Sequence, residues 1–264
     1  MRRTKRYHQT ENLYRLISLG SPLFLLLLWE GLVRVNWLDA RFFPPPSAVF
    51  AVLGSMIGNG ELWQHLQISL WRVLAGFVVG ALPAVMLGLL MGWFRPLHAF
   101  FDPLIAALYP VPKIALLPLF LIWFGLGEIT KIVTVAVAVF FVVLITTVNG
   151  VRLVEPALIE AAQSYGATGW RLFSKVILPA TLPAIFTGLR LGLGIALLVI
   201  VSAEFVASNK GIGYLIWISW STLAVHKMYV GLVIIAVLGL LSTSGLERLR
   251  RWLMPWAQDF PAPR

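Results

Sequence analysis

Not one of the chain's residues is cysteine, which excludes disulfides, thiolate metal sites and a cysteine nucleophile. Charge is nearly as scarce. Asp, Glu, Lys and Arg make up 12% of the sequence, about half the roughly 25% of an ordinary soluble domain. The four histidines (His8, His65, His98, His226) are dispersed and lack metal-ligand spacing. No paired acids and no Ser/His/Asp set point to catalysis. No Gly-x4-Gly-Lys-Ser/Thr phosphate loop occurs, so the chain carries no ATP site of that type. There is no soluble domain, no low-complexity tail and no obvious internal repeat, which weighs against an inverted-repeat carrier.

What remains is apolar. Of the 264 residues 59% are hydrophobic, and the mean hydropathy is +0.86. Apolar runs near the ~20 residues that cross a bilayer recur along the chain. They are continuous rather than alternating, so the reading is an all-α integral membrane protein and not a barrel. Six spans are predicted at about 16–35, 69–93, 98–125, 129–149, 181–206 and 228–247. The first resembles a secretory signal in its basic start, but Glu30-Gly31-Leu32-Val33-Arg34 offers no cleavage pattern, so an uncleaved span is expected. The division expected is 1–68 (N-terminus, first span and outer segment), 69–247 (core) and 248–264 (C-terminal tail).

The formal charge is +10, but the basic residues do not form a nucleic-acid stripe. They cluster at Arg2, Arg3, Lys5, Arg6 and Arg15, at Arg152, Arg171 and Lys175, and at Arg248, Arg250 and Arg251. These clusters flank apolar runs, where they set orientation and meet anionic lipid. Both termini, the 94–97 turn and the 150–180 connection are thereby expected in the cytoplasm. On the outer side, Pro44-Pro45-Pro46 is a stiff entry to a short helix through Gly58, with Ser47 expected to cap it.

The connection near 150–180 is far longer than the usual 4–6 residues or so. Pro156 suits the first turn of a helix, Leu158, Ala161, Ala162 and Tyr165 share one stripe, and Glu160 points away from it. Gly166 suits the left-handed position that ends a helix. A second short helix through Trp170 to Phe173 is expected to stop at Leu178-Pro179, with Pro183 in the first turn of the fifth span. By physics alone such a helix either lies on lipid or docks a soluble partner. The small Ala161-Ala162 pair favours docking, because it lets a groove approach the backbone.

Charges within spans mark candidate pathway residues. Lys113 stands among Pro110, Pro112 and Pro118, which should interrupt the third span and free carbonyls. It either attracts an anion such as a sulfonate, or snorkels or pairs with an acid. Glu204, late in the fifth span, either gates the pathway or is bound by Lys210 or a nearby backbone donor; pairing is favoured. Arg190 is read as snorkelling to phosphates. Gly188, Gly192 and Gly194 form a small-residue face, and Gly211-Ile212-Gly213 marks a tight outer turn.

Glu160-Ala161-Ala162-x3-Gly166-x9-Val176-x-Leu178-Pro179 resembles the EAA signature of the permease subunits of bacterial ABC importers, with Val176 where that family has Ile. Further likeness runs through Pro44-Pro45-Pro46-Ser47, Leu62-Trp63-Gln64-His65-Leu66, Pro110-Val111-Pro112, Ile122 to Glu128 with Lys131-Ile132, Ala203-Glu204 and Gly211-Ile212-Gly213-Tyr214. Together these resemble the nitrate/sulfonate/taurine branch. The resemblance implies the type I (MetI-like) permease fold in a bacterial inner membrane. It implies that Glu160, Ala161, Ala162, Tyr165, Gly166, Leu178 and Pro179 form a coupling segment seated in a cytoplasmic ATPase. The partners implied are an ATPase dimer that holds ATP and Mg, a periplasmic or lipid-anchored binding protein, a second permease chain as a homodimer, and membrane lipid. No cofactor is expected in this chain. Two other readings stay open at this point. An ion-driven carrier would need paired intramembrane acids in two halves, and a non-transporting membrane scaffold would need no pathway.

Overall fold

The computed structural model describes residue 17 and residues 20–256. The basic cluster from Arg2 to Arg15 and the tail beyond residue 256 lie outside the described residues. Everything regular among the described residues is helical. Helix α1 covers 20–34, α2 Pro46–Gly58, α3 Glu61–Trp93 and α4 Arg95–Leu108. A 3₁₀ turn, Lys113–Leu116, leads into α5, Leu117–Phe124. Helix α6 covers Glu128–Arg152, α7 Pro156–Ser164 and α8 Gly169–Leu172. A π-helical turn, Phe173–Ile177, then joins α9, Leu178–Ala207, which is followed by α10, Ile212–Ser221, and α11, Val225–Leu253.

Four stretches are long and apolar enough to cross a membrane: α3, α6, the run Gly169–Ala207 and α11. The third predicted span is not one rod. Helix α4 and the Lys113–Phe124 stretch together have the needed length, but they meet at 87°. Prolines cause this. Pro110 and Pro112 bring no N–H to the ladder and push the residues before them out of helical geometry. The first predicted span is described only from residue 20, apart from Ile17, and there it is an apolar helix with most side chains exposed.

The chain divides into two compact units. One comprises residues 1–63 and 215–232. In it Glu30 accepts hydrogen bonds from the Ser47 N–H (3.0 Å) and Oγ (2.8 Å). Ser47 is therefore no cap of α2: it lies inside the first turn, and Pro45 holds the N-cap position without a side-chain bond. A carboxylate seventeen residues away takes the hydroxyl that the capping expectation assigned to the helix itself. Lys227 pairs with Glu61 at 2.7 Å, and the rings of Trp29 and Tyr229 lie 5.4 Å apart.

The other unit, residues 64–214 and 233–264, contains the main core. Helix α6 is central to it. Val135, Val139, Val143 and Leu144 are fully buried against Ala81 and Ala84 of α3 and Ala196 and Ile200 of α9. Small residues make these approaches possible, as expected where lipid supplies no hydrophobic drive. A Cβ at Gly80 of α3 would run into the backbone of Ala136, and one at Gly88 would stand 2.7 Å from Cβ of Thr147. On α9, Gly188 and Gly192 face Thr146 and Val143 of α6. Gly194 meets nothing within 4 Å, so the small face consists of the first two glycines only.

Candidate functional site: an exposed helical segment and a buried ion network

The segment after α6 is anchored at few points. Val151, Val154 and Ile177 are buried, with Leu89, Trp93, Ile159 and Phe173 packed on them. Helix α7 begins at Pro156, where a missing N–H costs nothing. It ends in a Schellman motif. The N–H of Ala167 reaches the Ala162 carbonyl (3.0 Å), the N–H of Gly166 reaches that of Gln163 (2.8 Å), and Gly166 has φ +81°. The end at Gly166 is the one its place in the sequence predicts.

Ile159 is the residue of α7 that packs inward. The stripe of Leu158, Ala161 and Tyr165 is exposed, Ala162 is half-buried, and Glu160 is exposed as well. Tyr165 is 93% exposed, and Leu153 and Trp170 of the same segment are exposed as well. Most of the apolar stripe thus goes uncovered by its own chain, and Ile159 ties the helix to the buried cluster. Leu178 and Pro179 are half-buried and do not stop the second short helix. The π turn at Phe173–Ile177 lets the helix run on, since its wider winding accommodates a residue that cannot donate and would otherwise crowd the preceding turn. Pro183 accordingly lies inside α9 rather than in its first turn. From Gly169 to Ala207 the chain is one continuous rod of 39 residues.

At the far end of that rod Glu204 is fully buried and salt-bridged. Its carboxylate accepts from Arg72 Nη1 (2.7 Å), Ser69 Oγ (2.8 Å) and the Gly213 N–H (2.8 Å). Arg72, 1% exposed, also gives Nε and Nη2 to the two oxygens of Glu128 (2.6 and 2.7 Å). Its Nη1 reaches the Lys210 carbonyl at 2.8 Å as well. Lys131 stands 3.4 Å from Glu128. Two acids and two bases therefore balance across α3, α6 and α9. The turn after α9 is tied in by backbone: the Ile212 N–H donates to Ser69 Oγ and the Gly211 N–H to His65 Nδ1. Gly211, at φ +123°, has room for no Cβ, because one would fall on the Glu204 carboxylate.

Pairing of Glu204 was expected from Lys210 or a backbone donor. The backbone donor is Gly213, whereas the charged partner is Arg72, on another helix. Arg72 and Ser69 are the residues that sequence reasoning passed over. The signal was present, since an arginine three residues into an apolar run demands a buried acid. Lys113 occupies separate surroundings. Its Nζ donates to the carbonyls of Leu108 (2.9 Å), Tyr109 (2.8 Å) and Val111 (2.7 Å) and lies 4.4 Å from the Phe141 ring centre. Its three N–H groups bridge the break between α4 and α5, taking the Tyr109 and Val111 carbonyls and joining the Val111 N–H (3.3 Å) on that of Leu108.

The family of binding-protein-dependent transport system inner membrane components matches residues 84–255. The chain belongs to that family. It is the permease subunit of an ABC importer. Among its relatives, the putative aliphatic sulfonates transport permease protein of Bacillus subtilis is 37% identical over 90% of this chain and 87% of its own length. The taurine transport system permease protein of Escherichia coli is 36% identical over 91% and 89%. The riboflavin transport system permease protein of Chloroflexus aurantiacus is 34% identical over 90% of both. The permease family agrees with the resemblance carried by the Glu160–Pro179 segment, and the sulfonate and taurine relatives with that carried by the further motifs from Pro44 to Tyr214.

Proposed function

We propose that this permease imports a small organic sulfonate, taurine or a short alkanesulfonate, driven by a cytoplasmic ATPase that grips residues 153–170. The carrying observation is the exposure of Leu153, Leu158, Tyr165 and Trp170 along a segment whose helix packs inward through Ile159. Uncovered large apolar side chains at one place mark an interaction site. Ala161 and the tight end at Gly166 let a groove come close to the backbone. Two permease chains, with a binding protein outside, complete the pathway in this reading.

Force has a direct route. A displacement of α7 and α8 enters the π turn and passes along α9, whose 30 residues rise about 45 Å. At the other end it meets Glu204, locked to Arg72 and to the turn at Gly211–Gly213. ATP closure would thus be felt at the outer turn without a separate relay. Substrate class rests on the relatives that carry sulfonates and taurine, at greater identity than the one that carries riboflavin.

The test is uptake into proteoliposomes that contain the permease with its ATPase and binding protein. ATP-dependent accumulation of labelled taurine or butanesulfonate, competed by neither nitrate nor riboflavin, is the expected outcome. Accumulation without ATP, or of riboflavin alone, would overturn the assignment.

A further inference from the structure

A cavity of about 450 Å³ lies between α9 and α11, lined by Pro183, Phe186, Thr187 and Arg190 on one side and by Leu246, Glu247 and Arg250 on the other. It sits toward the end of α9 that continues into the exposed segment, so it is near the membrane face proposed as cytoplasmic. Its charges are lopsided. The acid in it, Glu247, is already held by Arg250 (Nη2 at 2.7 Å) and by Arg251 (Nε at 3.2 Å). Among the described residues no acid or carbonyl takes the Arg190 guanidinium. The lining therefore carries an excess positive charge next to an apolar floor of Phe186, Pro183 and Leu246. Helix α11 is the least buried of the four helices long and apolar enough to cross a membrane, so its flank is uncovered by this chain.

We propose that this cavity binds the phosphate of an anionic phospholipid, with Arg190 as its principal contact and the apolar floor taking the start of an acyl chain. A planar guanidinium offers a phosphate two parallel donors, and a basic pocket between helices at this face suits an anionic headgroup. The site is independent of ATPase docking and of the imported substrate: it needs only the chain in a bilayer. Its occupant would brace α9 against α11 close to the point where α9 receives force.

The probe is phosphatidylglycerol, compared with phosphatidylcholine by native mass spectrometry of the full chain released from mixed micelles. Preferential retention of phosphatidylglycerol is expected, falling about fivefold in Arg190→Gln, the worth of one basic residue near an anionic surface. Arg190→Lys should keep part of the preference. Arg95→Gln, which removes another exposed cation, should leave it unchanged. Equal retention of the two lipids, or equal loss in Arg95→Gln, would overturn the proposal. A competition arm on the unaltered chain separates the sources of the anion: displacement of phosphatidylglycerol by millimolar inorganic phosphate or taurine would reassign the cavity to a soluble anion.

Discussion

Replacing Glu204 with alanine should be among the most damaging single changes in the protein, and the reason can be tested by pairing it with Gly211→Ala. Glu204→Ala takes the acceptor from three donors: Arg72 Nη1, Ser69 Oγ and the Gly213 N–H. Breaking a buried ion pair by removing one partner costs about 3–5 kcal/mol. Arg72 keeps its two bonds to Glu128, which places the expected loss near the middle of that range, at about 4 kcal/mol. Gly211→Ala attacks the same contact from the other side. Its φ of +123° costs an alanine about 1–3 kcal/mol. The new Cβ would also push the carboxylate off its donors, for a total again of about 4 kcal/mol. In the Glu204→Ala background the Cβ enters vacated space, so only the backbone cost of about 2 kcal/mol remains. The double variant should then lose about 6 rather than 8 kcal/mol, a coupling of about 2 kcal/mol. Unfolding by dodecyl sulfate in mixed micelles, followed by tryptophan fluorescence, gives the three free energies. Additivity within about 0.5 kcal/mol would mean that Gly211 and Glu204 do not share this contact, and the network as described would be wrong.

Other outcomes follow from single positions. Gly166→Val should fold, because nothing obstructs a side chain there, yet the left-handed backbone costs a branched residue about 1–2 kcal/mol or more. The end of α7 should shift, and ATP hydrolysis should continue with transport reduced at least severalfold; wild-type uptake at normal expression would contradict this. Lys113→Met leaves the Tyr109 and Val111 carbonyls without their donor, at about 1–3 kcal/mol, and should speed hydrogen exchange across 108–117, whereas unchanged exchange would show that the lysine does not hold the bend. Gly80→Leu should cost about 1–3 kcal/mol or more by overpacking α3 on α6, read as a lowered midpoint in the same micelle titration; an unchanged midpoint would deny the close approach.

Much of the fold was legible because the bilayer restricts the choices. Continuous apolar runs have to be helices, and Pro156, Gly166 and the Pro110–Pro112 pair act on the backbone locally, where one sequence suffices to see them. What escaped was tertiary. Ser47 reads as a cap until Glu30, seventeen residues away, takes its hydroxyl. Glu204 reads as bound by Lys210 or a nearby backbone donor; Gly213 is that donor, but the charged partner is Arg72, which α3 brings across 132 residues. The stop expected at Pro179 failed because a π turn, which leaves no compositional trace, absorbed the missing donor. Within the exposed segment the stripe was visible, but which side faced the chain was decided by Ile159, a residue that periodicity alone did not single out.

The proposed grip of the ATPase on residues 153–170 can be tested directly by crosslinking. With no native cysteine, Ala161→Cys and Tyr165→Cys each place one thiol on the exposed face at the end of α7, and Lys210→Cys places one at the turn after α9. A short bifunctional thiol reagent applied to the assembled transporter should join the permease to the ATPase from positions 161 and 165, with the yield changing when ATP is bound, and should give nothing from 210. Full ATP-driven uptake together with no crosslink from 161 or 165 would contradict the account.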